Sequence, residues 1–486
     1  MQSQRDQVQA HLFVMSRLTS GILRSDPDTP GTPTGRTLRG SLGGLAIAAL
    51  LTAGAVVYGL VDPGGNTSWA KNGTLVVAKD TGADYLYLDG ALHPVLNETS
   101  ARLLAGTQMT VADVSSSSLV GAALGAPVGI VGAPASLPAS GDLADGPWLA
   151  CATEQTSASG TATPSLTVAV EQNADSNGLP GMQLAAGQGL LAATPDGTTY
   201  LLWHGERLRV DTHDGVMTAL GYTAATPYPV SATFVNALPS GPDLAPPVLD
   251  GLGDAGPEIS GRATRIGQLF TGSAGQQYVL TSAGLEMVTA LQYALLLGDP
   301  QIQAQAYAGQ AVTVGPVGAQ DLQEHLVSAP ASALPTAAPA LVAAGQGQAV
   351  CAETQVAGAS APGYGVALLP AADVAGTAPA LEPGDEPSCA GADRVMVPSG
   401  HGALVRALSG GGFGQTEYLV TDSGVKYPLA SASVPASLGY SVAPVSVPAG
   451  LLALLPTGPS LDPAVLAADG TSGPSGAGGG CPSPSA

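Results

Sequence analysis

Four cysteines, six histidines and three lysines are the residues of this 486-residue chain with the widest chemical reach. Their spacing decides which chemistry is open. A phosphate-cradling loop needs Gly-Lys-Ser/Thr, because backbone amides and one ammonium must converge on a phosphate. Lys71, Lys79 and Lys426 instead follow Ala70, Ala78 and Val425. Gly187-Gln-Gly189 is glycine-rich, but it precedes a predicted hairpin and does not join a strand to a helix, so it does not read as a nucleotide loop. Neither a Gly-x-Ser-x-Gly elbow nor a His-Glu-x-x-His pair occurs. Asn173-Ala-Asp175-Ser-Asn177-Gly178 opens like a calcium loop. Its twelfth position is Leu184, where a bidentate Glu is required, so it reads as an Asn/Asp/Gly turn. His11, His93, His204, His213, His325 and His401 show no ligand spacing, and His93 reads as a turn-packing residue. No metal site and no catalytic residue is expected from these patterns. Paired acids for glycoside hydrolysis need not be adjacent, but nothing points to a pair.

The cysteines are left. Trp148-Leu-Ala-Cys151 and Gln348-Ala-Val-Cys351 each end an apolar, strand-like run, while Cys389 and Cys481 stand apart. Four cysteines allow three pairings, and the sequence does not choose among them. Cys481 lies in the Gly/Ser/Pro tail Ala468–Ala486, which reads as disordered, and is expected to be free.

What must position these residues is a repeat. Tyr85-Leu-Tyr-Leu-Asp-Gly90, Tyr200-Leu-Leu-Trp-His-Gly205, Tyr278-Val-Leu-Thr-Ser-Ala-Gly284 and Tyr418-Leu-Val-Thr-Asp-Ser-Gly424 follow one pattern. Each is preceded by a turn glycine (Gly82, Gly197, Gly275, Gly414), and each is followed after a mostly Leu-rich stretch by Gly106, Gly221, Gly298 or Gly439. The pattern predicts strand, turn, strand, turn, short strand, then a less regular apolar stretch. The chain divides on it into 73–106, 184–246, 247–306 and 391–456 as repeats one to four, with 107–183 and 307–390 as cysteine-bearing segments. If these segments pair, a central β domain relates the two chain halves by a two-fold axis. Cys151–Cys351 would then close a loop of about two hundred residues and strongly constrain the unfolded chain.

Ahead of the repeats, Leu42–Val61 is an uncharged run of twenty residues. As a helix rising about 1.5 Å per residue it reaches about 30 Å, a bilayer's hydrocarbon thickness. Residues 41–61 are therefore read as one uncleaved membrane span, with 62–72 as linker. Residues 1–40 carry five Arg and three acids, a net of +2, with Arg36 and Arg39 beside the span. Everything after residue 61 carries ten basic residues and thirty-three acids, a net of −23. The positive-inside rule keeps the N-terminus in the cytoplasm and exports the acidic body. Such a body repels nucleic acid and anionic headgroups. Tyr58 and Trp69 fall where interfacial aromatics are expected. Val8, Leu12, Met15, Leu18 and Ile22 recur at three- and four-residue spacing between Arg5 and Arg24. That is one apolar helical stripe with no core of its own, read as a docking face for a partner. Residues 457–486 are read as a flexible tail.

The chain resembles the EccB family, the single-span core subunit of the ESX (type VII) secretion machinery of mycobacteria and relatives. The resemblance is carried by Arg5-Asp-Gln-Val-Gln-Ala-His11, Arg17–Asp28, the span, Gly65–Trp69 and Thr81–Asn97. Further along it is carried by Gly129–Pro138, Gly402-Ala-Leu-Val-Arg-Ala407 and Asp422–Leu429. The extra Cys389 and Cys481 depart from that pattern. It implies a mostly β fold with some α: a cytosolic N-terminal helix, one transmembrane helix, and an elongated periplasmic body of four repeats around a central domain with pseudo-two-fold symmetry. It implies a disulfide at the matching Cys151 and Cys351. It also implies assembly with EccC, EccD, EccE and the mycosin protease, pairing of bodies as homo-dimers or higher oligomers, and a peptidoglycan contact. The family is often described as an ATPase. No cofactor is expected from the residues, and ATP enters only through that description, the motor fitting EccC better.

Overall fold

A computed structural model of the protein describes residues 4–24, 33–61, 67–156, 162–170, 182–212, 215–355, 362–409 and 412–472. These form two compact units, Met1–His93 with Thr110–Gly125, and Pro94–Met109 with Ala126–Ala486.

All four tyrosine-to-glycine copies fold the same way. In the first copy, β1 (Thr74–Ala78), β2 (Ala83–Leu88) and β3 (Ala91–Pro94) make an antiparallel meander. After a helix, β4 (Thr110–Val114) returns parallel to β1, giving the order β3-β2-β1-β4. Gln188–Ala193, Thr199–Trp203, Glu206–Val210 and Tyr228–Pro229 repeat that order in the second copy. Leu269–Thr271, Gln277–Leu280, Leu285–Met287 and Gly315–Pro316 do so in the third. Gly402–Ser409, Gly412–Thr421, Lys426–Leu429 and Val445–Pro448 do so in the fourth. The repeat is thus β-β-β-α-β, one helix and one strand richer than the pattern predicts.

The Leu-rich stretch is the helix: Glu98–Ala105, Val216–Ala219, Ala290–Gly298 and Val434–Ser437. Local chemistry sets its ends. The Asn97 side chain accepts from the Ser100 N–H, and Thr289 with Gln292 forms a capping box. Gly106, Gly221 and Gly439 stop three of the helices at positive φ (64°, 74° and 95°).

In the first unit Trp69 is only 5% exposed. It joins Val76, Leu92 and Val114 in a core, edge-on to Tyr87 with centroids 5.5 Å apart. The expectation of Trp69 at a membrane interface is therefore corrected: the indole fills the repeat's own core. His93 packs as expected, its ring lying where a Cβ on Gly125 would stand.

In the second unit a six-stranded sheet holds the cysteine segments. Its strands run Arg394–Met396, Ala162–Val170, Trp148–Thr156, Gln348–Gln355, Gly363–Pro370 and Met182–Gln183. The two central hairpins are related by a two-fold axis. Cys151 pairs with Thr167 and Cys351 with Ala367, so one register repeats the other two hundred residues later. Period-2 alternation gives the sheet two apolar faces. Trp148, Ala150, Leu166, Val350, Val366 and Leu368 face repeats two and four and meet Leu190, Phe234, Val405 and Leu451. Leu149, Cys151, Ala169, Ala349, Cys351 and Leu369 point the other way, under Val374. The helix Glu98–Ala105 packs on Val434–Ser437, and Val216–Ala219 packs on Ala290–Gly298.

Candidate functional site

The disulfide forms between Cys151 and Cys351, directly opposed residues of the two innermost strands, with Cα atoms 4.0 Å apart. Antiparallel pairing at the two-fold axis places like positions of the two halves face to face, which is why these two cysteines meet. Both are fully buried. Cys389 is also disulfide-bonded. Cys481, expected free, lies outside the described residues, as do the Asn173–Gly178 turn and His213.

Beside Cys151, the hydroxyl of Thr167 is buried with no hydrogen-bond partner among the described residues. An orphaned buried hydroxyl costs the fold its desolvation. Thr167→Val keeps the shape and removes that cost, so it should be neutral or raise stability by about 1 kcal/mol in a urea titration. A loss of 1 kcal/mol or so would show that the hydroxyl has a partner. At one end of the same face the buried Glu353 carboxylate accepts from Gln183 Nε2 (2.5 Å) and Gln355 Nε2 (3.1 Å). Two neutral amides hold this side chain in place.

Among the described residues one cation is buried. Lys426, 8% exposed, donates from Nζ to the Leu455 carbonyl at 2.5 Å, and burial pulls its pKa down to about 8 from 10.5. Unfolded, this lysine keeps its proton up to the higher value. Between the two values the unfolded chain therefore binds more protons, and raising the pH favours the fold. Stability should rise from pH about 8 to about 10, by up to about 3 kcal/mol, and Lys426→Met should remove the rise. Urea midpoints that are flat or falling across that window would contradict this assignment.

The N-terminal elements are uncovered. Helix α1 (Gln4–Arg24) leaves Val8, Leu12, Met15, Leu18 and Ile22 between 51% and 79% exposed. Phe13 and Val14 widen the stripe, and the Arg17 guanidinium lies 5.4 Å from the Phe13 ring centre. Helix α2 (Pro33–Val61) starts earlier than the apolar run, and its stretch apolar enough to cross a membrane is Thr37–Tyr58. No part of that stretch is buried by protein. Twenty-two residues span about 33 Å. Apolar side chains all round such a helix call for lipid or another protein as surroundings.

No His, Cys, Asp or Glu group of three or more is arranged to hold a metal among the described residues. Sequence reading missed the helix and the parallel return strand of every repeat, and the buried Lys426. The glycines after three of the Leu-rich runs, Gly106, Gly221 and Gly439, and the capping residues Asn97 and Thr289 with Gln292 were the local signs of the helices.

An amphipathic helix, a helix apolar enough to cross a membrane, four β-β-β-α-β repeats and a disulfide-bearing sheet define a membrane-associated structural protein. The family model described as "Type VII secretion system ESX-1, transport TM domain B" matches residues 1–472, and the chain belongs to that family. A relative from Mycolicibacterium smegmatis, "ESX-3 secretion system ATPase EccB3", is 28% identical over 479 residues, 94% of this chain and 89% of the relative. "ESX-1 secretion system ATPase EccB1" of Mycobacterium tuberculosis is 27% identical over 484 residues, 95% of this chain and 94% of its own. Among solved structures, a chain of the intact ESX-5 inner membrane complex matches with a TM-score of 0.63 at 24% identity, covering 96% of this chain and 95% of that one. The EccB3 dimer from the ESX-3 core complex gives 0.63 and 24%, covering 80% and 98%. These two likenesses speak for the fold.

Proposed function

We propose that this chain is a structural and assembly subunit of the inner-membrane core complex of a type VII secretion system. The family match over residues 1–472 carries the reading, because it takes in docking helix, span and body together. The uncovered stripe of α1 docks on a cytoplasmic partner subunit, α2 crosses the membrane, and the acidic body lies outside it. There it pairs with further copies. The EccC-, EccD- and EccE-type subunits and the mycosin protease are the partners that the family resemblance supplies, and a wall contact of the repeats belongs to the same reading. Hydrolysis of ATP appears in the names of the relatives. It forms no part of this proposal, since none of the three lysines stands in a phosphate loop.

Membranes solubilised in mild detergent should yield this protein in one large particle with the other core subunits. Recovery only as a free monomer or dimer would sink the reading. Leu12→Asp with Met15→Asp puts two charges on the docking stripe while leaving the body's fold untouched. The variant should stay membrane-bound and drop out of the particle. Undiminished recovery in the particle would remove α1 from the assembly role.

A further inference from the structure

The third repeat departs from the other three in two places, and the departures meet. Between helix and fourth strand the other copies use residues 106–109, 220–227 and 438–444, four, eight and seven residues, whereas the third uses sixteen, 299–314. This insertion holds a π-helical turn, Ile302–Ala306, followed by Ala308 at φ 51°. Such turns are costly irregularities that recur at functional positions. The second departure is the folded-back loop ahead of the first strand, pinned by the bridges Ala255–Arg265 and Ile259–Arg262. Together with Leu269 and Phe270 of the first strand and the short strand Gly315–Pro316 beside it, the two segments line a half-open pocket of about 270 Å³.

Its lining carries three donors that no other protein group among the described residues takes up, the solvent-exposed Arg262 and Thr313 and the half-buried Tyr307. Arg262 lines it, and its guanidinium makes no hydrogen bond or ion pair among the described residues. Lys79, Arg102, Arg209 and Arg406 are each paired with an acid. The Tyr307 hydroxyl accepts from the Leu269 N–H at 2.9 Å and has its own proton to give. The Thr313 hydroxyl has no partner either. Gln268 spends its amide N–H on the Ala306 carbonyl, while Ile259 and Phe270 supply an apolar wall. Asp321 is held by the N–H and hydroxyl of Ser260 and is not part of the lining.

We propose that this pocket binds a singly charged organic anion, a chain-terminal carboxylate on a short uncharged segment, held by Arg262 with the hydroxyls of Tyr307 and Thr313. One guanidinium balances one negative charge, and neutral hydroxyls complete a carboxylate's hydrogen bonds. A dianion such as phosphate would enter a body of net charge −23 with only one cation to meet it. The volume equals about nine waters at about 30 Å³ each, enough for a carboxylate and one or two small residues.

Calorimetric titration of the full chain in detergent tests this, with acetyl-alanyl-alanine, its C-terminal amide and inorganic phosphate as probes. The free carboxylate should bind saturably. The amide, the phosphate and the Arg262→Gln variant should each bind about tenfold more weakly or worse, the loss of one charge-assisted contact. Thr313→Val should weaken the carboxylate alone, with the thermal midpoint of the unliganded protein unchanged in both variants. The proposal is overturned by equal binding of the amide, by tighter binding of phosphate, by an Arg262→Gln protein that binds like the parent, or by no saturable binding up to about 10 mM. None of these outcomes bears on assembly into a secretion complex.

Discussion

Replacing Cys151 and Cys351 together by alanine should cost the body about 5 kcal/mol, the largest single loss expected for this protein. The bond joins residues two hundred apart in sequence. Cutting it returns to the unfolded chain the freedom of a loop of that length, and the chain-entropy relation then gives about 5 kcal/mol. The fold also loses both sulfurs from a fully buried layer under Val374. The alanine pair is the cleaner variant. A single Cys151→Ser leaves a buried thiol facing a buried hydroxyl, adding a polar penalty to the loss of the cross-link. Urea unfolding under oxidising conditions should show a much lower midpoint for the double variant, and reductant should shift the parent far more than the variant, which keeps only the bond at Cys389. An unchanged midpoint would mean that the two hairpins hold each other without the bond.

The second large effect is Gly205→Ala, with Gly90→Ala as its control. Both glycines close the tyrosine motif and both have positive φ, 73° and 87°. Alanine at either turn carries the strain of a left-handed side chain, about 1 kcal/mol. Around Gly90 there is nothing within 4 Å of the added methyl. At Gly205 the methyl would lie 2.4 Å from the backbone carbonyl carbon of Tyr364. Tyr364 belongs to a central-sheet strand paired along its whole length with the cysteine strand, so it cannot step back without breaking that ladder. Gly205→Ala should therefore cost about 3 kcal/mol or more, several times the control. Similar thermal midpoints for the two variants would show that repeat two moves freely against the central sheet.

These glycines mark the limit of what a repeat discloses. Gly90, Gly205, Gly284 and Gly424 look interchangeable in sequence. In the fold, Gly284 meets the His325 carbonyl oxygen and Gly424 meets the Val395 side chain, while Gly90 meets nothing. The periodicity records the turn that all four share. It says nothing of the neighbour each turn is pressed against.

What the residues settle by themselves is local or strictly repeated. Uncharged Leu42–Val61 spells a helix apolar enough to cross a membrane, the three- and four-residue spacing from Val8 to Ile22 spells a helix with one apolar face, and the four tyrosine motifs spell hairpins. Each is a pattern that a short stretch satisfies alone. Helices of four to nine residues are too short to show a period, so Glu98–Ala105 and its three counterparts went unread. The parallel return strand is invisible for another reason: its partner lies a helix away. Trp69 shows the same limit, since its position near the span suggested lipid, whereas a core position beside Tyr87 claims it. Only the tertiary structure brings Cys151 opposite Cys351 across the two-fold axis and gathers Arg262, Tyr307 and Thr313 around one pocket. Both are meetings between distant segments. Their geometry depends on how whole sheets pack, and no stretch of chain carries that on its own.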